Sequence, residues 1–249
     1  DIPKRLREVS PKVRNFNYTH SNIGLASDKH LYRGSLNNTL NPLVFLVEFS
    51  DEEHYYSPSQ FNHLLFAEDL SPLRADFPPG HDDYTMSVRD YYDEISNGKQ
   101  KIIGDLGSIF GWRMADQNYS YYVDNEQGTG KGAHGVTRSA AALVVETAMA
   151  LDQDIDFSQF DNGYGAIDVV ILIVAGKGVP FTDDNYFWPH MSSVPTVSNG
   201  LTVIDPNATT NSEGLLFIDG VAIQNYILIH EQYYWNHSGA NSGDIQPIG

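Results

Sequence analysis

One stretch, Ile167–Val174 (IDVVILIV), constrains what this chain can fold into more than any other. Apolar side chains fill both alternating sets, so a strand built from it is apolar on both faces and needs cover on each side. It is also far shorter than the roughly 18 apolar residues a bilayer-crossing helix requires. The stretch therefore predicts the central strand of a sheet, with helices or loops over both faces.

Segments around it supply both. Leu43–Phe49 (LVFLVEF) reads as a second buried strand, broken only by Glu48 and ended by turn signals at Ser50 and Asp51. Shorter strands are expected at Leu201–Ile204, Leu215–Ile218 and Val221–Ile229, and a strand pair or bent strand at Lys99–Trp112, where interior glycines weaken a regular ladder. Ser57-Pro58 opens a helix through Phe61, Leu64, Leu65 and Phe66, with apolar residues three and four apart. A Pro-Pro-Gly break at Pro78–Gly80 closes that region. Ser87–Ser96 has Ser at the N-cap, Asp90 three residues on and Asn97-Gly98 as a stop, which reads as a capping-box helix. Thr137–Asp152 lines one helix face with Ala141, Val144, Val145, Ala148 and Leu151. The glycine-rich Gly128–Gly135 before it lacks G-x-x-x-x-G-K-[ST] spacing and reads as a flexible linker, not a phosphate loop. Helices interleaved with strands predict an α/β (α+β) fold with one main mixed sheet flanked by helices. The 249 residues divide into a surface arm, residues 1–40, basic at first and then polar, and one domain, residues 41–249.

Charge narrows the partners. The formal net charge is -17. So acidic a surface repels nucleic-acid phosphate and anionic lipid, which excludes nucleic-acid binding and membrane insertion, and it favours hard cations such as calcium. The chain has no cysteine, so disulfide scaffolds, thiolate zinc sites and a cysteine nucleophile are excluded. Its first residues lack the apolar core of a signal peptide, so the chain reads as cytosolic or as a mature, processed form. N-x-[ST] sequons at Asn17, Asn37, Asn118, Asn207 and Asn236 lean toward an extracellular glycoprotein.

Catalytic patterns are sparse. None of the nine histidines falls in H-E-x-x-H, the helical spacing that grips one zinc. His230-Glu231 begins like that motif but runs on as strand and loop, and reads as a surface pair. No G-x-S-x-G elbow occurs. Asp156–Asp168 (DFSQFDNGYGAID) clusters acidic and amide oxygens around two glycines ahead of the central strand. Calcium loops use that chemistry, and so does an ordinary Asx-rich turn.

Several landmarks, taken in order, resemble the immune inhibitor A family of secreted zinc metalloproteases. They are Leu43–Asp51 (LVFLVEFSD), the serine-capped S-V-R-D-Y-Y helix from Ser87, Asn97–Lys99, Gly111-Trp112, Asp156–Gly178, Trp188–His190 and Tyr226–Glu231 (YILIHE). The resemblance implies a zincin-like metalloprotease domain, secreted, that hydrolyses peptide bonds with a zinc-activated water and a motif Glu as general base. It carries calcium binding over to Asp161, Asn162 and Asp168, although one residue of the family's acidic loop is missing and Tyr164 stands near a lost Asp. In such proteases an I-G stretch leads into the zinc helix, and this sequence ends Gln246-Pro247-Ile248-Gly249 where that helix begins. What is expected is thus the amino-terminal portion of the domain, incomplete at its C-terminal side, with zinc ligands outside this chain and no catalytic residue within it. Its partners would be a protein or peptide substrate, or the remaining part of its own domain. The alternative is a glycosylated extracellular structural or adhesion module that has the fold without the active site. A third reading, a carbohydrate-binding domain, rests on Tyr and Trp side chains that could stack on sugar rings.

Overall fold

A computed structural model describes residues 38–68, 86–178, 185–194, 197–198, 201–202, 215–234 and 245–247. The expected Pro78–Gly80 break lies outside these residues, and so does the arm except for its last three positions. Those three belong to the domain: β1 (Thr39–Leu40) pairs in parallel with β3 (Lys101–Ile102).

Among the described residues the main sheet has six strands. β2 (Leu43–Glu48), β4 (Ile109–Met114), β5 (Val170–Gly178) and β11 (Asn225–Tyr234) run parallel in the order β11-β5-β2-β4. Two antiparallel strands, β6 (His190–Ser193) and β12 (Ile245–Pro247), share the outer edge of β11, pairing with its first and last residues respectively. The remaining strands are short: β7 (Val197–Ser198) pairs with β8 (Leu201–Thr202), and β9 (Leu216–Ile218) with β10 (Val221–Ile223). The doubly apolar run is central as expected, with β2 on one side and β11 on the other, although the strand starts three residues later and continues through Gly178.

A strand's period of two sends alternate residues to opposite faces. Leu43, Phe45 and Val47 of β2, with Val170, Leu172 and Val174 of β5, face a core closed by α3 (Tyr119–Val123) and α4 (Ala140–Leu151). Val44 and Leu46, with Ile173, face a second core closed by α1 (Pro58–Phe66). α1 inserts Phe61, Leu64, Leu65 and Phe66, each about 1.5–3 kcal/mol of burial. α2 (Val88–Ile95) buries no residue of its own. Across α4 the burial reaches past the expected single face to Ala140, Ala142, Leu143 and Thr147, because this helix is wrapped on several sides.

Local chemistry differs from expectation in three places. The full capping box sits on α1, where Ser57 and Gln60 satisfy each other's backbone N–H. On α2, Ser87 Oγ accepts from the Asp90 N–H at 3.1 Å and donates to Ala67 O, so the cap forms through the serine. Lys99–Trp112 forms two strands that do not pair with each other, because a 3-10 turn at Leu106–Ser108 separates them and sends β3 to β1 and β4 to β2. The Gly128–Gly135 linker is tied down: His134 N–H donates to Asp124 Oδ2 at 3.0 Å, and His134 Nδ1 lies 2.7 Å from Asp124 Oδ1.

Candidate functional site

Parallel strands present their carboxyl ends together, and crevices at such ends are where open α/β sheets hold ligands. Here β2 ends at Glu48, β5 at Gly178, and β11 passes His230 and Glu231 at the same level, opposite Val174–Lys177. Both residues are fully buried, each at 0% exposure, which overturns the surface reading of the His230-Glu231 pair. Strand alternation explains how two adjacent polar side chains are both enclosed. His230 follows Tyr226 and Leu228 onto the α3–α4 face, while Glu231 follows Ile229 onto the α1 face.

On the first face, the Phe187 N–H donates to Tyr119 Oη at 3.1 Å, and Tyr119 Oη lies 3.3 Å from His230 Nε2. The tautomer of the ring decides which of the two donates, and only Nδ1 is left for a second bond. That Nδ1 is buried and has no hydrogen-bond partner among the described residues. Burial accordingly pulls the His230 pKa down to about 4, and pushes that of Tyr119 upward.

On the second face, Glu231 meets a strap formed by Ser50–Ser57, which joins β2 to α1. Tyr55 and Tyr56 both donate their amide N–H to Glu231 Oε1, and Gly176 N–H lies 3.4 Å from Oε2. Burial raises the Glu231 pKa, against the pull of these amides. Other ties hold the strap: Phe49 and Glu52 exchange backbone bonds of 2.9 and 3.1 Å, Trp112 Nε1–H donates to Tyr56 O at 2.7 Å, and His54 Nδ1 sits 2.6 Å from Glu48 Oε2. The His54 ring stacks on Trp112 with centroids 4.8 Å apart.

Two glycines of β5 make room for these groups. The β5–β11 register slips between His230 and Gln232, and in that irregularity Gly176 adopts φ +90°. A Cβ there would lie 2.5 Å from Glu52 Oε1, and one on Gly178 would lie 2.9 Å from His230 Nδ1. Beside the strap opens a cavity of about 290 Å³ lined by Asp51, Glu52, Tyr119, Ser120, Lys177 and Tyr186, among others. Burial, then the Asp51 charge, raises the Glu52 pKa, while Lys177 opposes them.

The acidic loop expected to take calcium is built as turns. Asp161 Oδ1 accepts from Gly163 and Gly165 N–H, both at 2.9 Å, and Asn162 Oδ1 accepts from Tyr164 N–H at 3.0 Å. Asp168 Oδ2 accepts from Asn41 N–H at 2.9 Å. Among the described residues no group of three or more His, Asp and Glu side chains is placed to hold a metal ion. Asn118 is the exposed N-cap of α3, its Oδ1 accepting from Tyr121 N–H. Asn17, Asn37, Asn207 and Asn236 lie outside the described residues. No helix among the described residues is long and apolar enough to cross a membrane.

Sequence reasoning missed His230, Glu231, Gly176 and Gly178 as a unit. The available signal was a glycine pair in a strongly apolar strand, paired with the polar run His230-Glu231-Gln232 that follows four apolar or aromatic residues in β11.

The family model of the immune inhibitor A peptidase M6 catalytic domain matches residues 33–166, more than half of the chain. The matched segment carries β1–β4, the strap and all four helices, and stops before β5. A search of curated proteins returned no match.

Proposed function

Because the chain belongs to the immune inhibitor A peptidase M6 family, a metallopeptidase family, we propose that it forms part of a secreted zinc endopeptidase domain acting on protein or peptide substrates. The observation that carries this reading is the family match across the strands, the strap and the helices of the domain. In this reading the described residues supply the sheet, its two covering layers and the ordered carboxyl ends of β2, β5 and β11. They do not fit zinc, since no three ligating side chains converge. The zinc ligands therefore belong to residues outside the described set, and the remaining part of the same domain is the partner that the sheet receives. Secretion accords with the exposed Asn118 sequon.

The test is metal analysis of the natural protein beside its intact mass. One tightly held zinc per molecule is expected, removed by a zinc-selective chelator. A zinc-free natural protein that keeps its native fold would overturn the reading in favour of a structural or adhesion module.

A further inference from the structure

We propose that Glu231 is a positioning residue that latches the Ser50–Ser57 strap onto the carboxyl ends of the strands, and so holds Asp51 and Glu52 in the wall of the adjoining cavity. The latch joins segments 175 residues apart in sequence. Its geometry suits a carboxylate and nothing smaller or neutral. Three backbone N–H donors converge on two oxygens, those of Tyr55 and Tyr56 on Oε1 and that of Gly176 on Oε2. A glutamine with its oxygen toward Tyr55 and Tyr56 would turn an NH2 donor toward the Gly176 donor.

The surroundings are shaped for this contact. Gly176 bends β5 at φ +90°, and the space its missing Cβ leaves is filled by Glu52 of the strap. Glu52 in turn is bonded through its backbone to Phe49, and Asp51 Oδ1 accepts from Tyr119 N–H at 2.9 Å, so both acids are carried by the segment the latch restrains. Asp51 and Glu52 line the cavity together with Lys177, the residue next to Gly176. Releasing Glu231 thus loosens the strap at Tyr55 and Tyr56, in the segment that carries two of the three charged groups lining the cavity. The inference does not depend on zinc or on peptide hydrolysis, since every contact in it lies among the described residues.

Hydrogen exchange of the protein and of Glu231→Gln, followed by mass spectrometry, tests it. Amides of the strap should exchange at least tenfold faster in the variant, while those of β5 other than Gly176 change less than twofold. Equal acceleration in both segments would make Glu231 a general stabiliser, and no acceleration in either would remove the latch; both results overturn the proposal. If the variant does not fold, the unmodified protein gives a second reading by NMR. The Tyr55 and Tyr56 amide protons should move with the same midpoint as the Glu231 carboxyl carbon, and not with Glu48, Asp51, Glu52, Glu53, His54 or Lys177, the other charged groups on or beside the strap. Amide shifts that ignore the Glu231 titration would overturn it.

Discussion

Stability below neutral pH should be limited by His230. Its ring is fully buried against Tyr119 and carries an unpartnered Nδ1, so the folded protein resists protonating it until about pH 4, against an ordinary value of 6.5. The unfolded chain binds that proton below about pH 6.5 and the folded chain does not. The contribution is therefore complete above pH 6.5, is lost as pH falls, and stops changing below about pH 4. A shift of this size is worth roughly 3 kcal/mol over the whole window, most of it lost between pH 7 and pH 4.5. Urea unfolding of the protein and of His230→Gln at those two pH values isolates the effect, because other groups titrate alike in both. The variant should lose about 2 kcal/mol less on acidification, whatever its stability at pH 7. Equal losses in the two proteins would refute the buried, neutral imidazole.

Gly176→Ala should cost about 2 kcal/mol or more, since φ +90° strains any L side chain and the Cβ meets Glu52; adding Glu52→Ala should recover part of the loss in urea midpoint. Ser57→Ala should cost about 1 kcal/mol by breaking the α1 capping box, read in the same assay. Asp161→Ala should cost about 1–2 kcal/mol through two lost amide bonds, by the same amount with and without added calcium; a calcium-dependent cost in melting experiments would show that the loop rearranges to bind the ion.

The sheet was legible because its strands are written in runs. Leu43–Phe49 and Ile167–Val174 are apolar on both alternating sets, and a doubly apolar strand has few places to go but the middle of a covered sheet. Helix starts were legible at Ser57 and Ser87 for a similarly local reason, a side-chain oxygen one turn from free N–H groups. The site was not. His230 and Glu231 resemble surface residues in any window of sequence, and what encloses them is a strap and two β5 glycines more than fifty residues away. α3 also escaped notice, since a five-residue helix is too short for periodicity to register; its one local mark is the Asn118 cap. In Asp156–Asp168 the residue types suit a calcium loop and an Asx-rich turn alike, and their choice between a cation and backbone amides depends on three-dimensional placement that composition does not carry.

Peptide hydrolysis by the natural protein, measured on an unstructured protein substrate with and without a zinc-selective chelator, tests the proposed function most directly. Cleavage that the chelator abolishes and added zinc restores is the predicted result. Zinc-replete natural protein that leaves every peptide bond intact would contradict it.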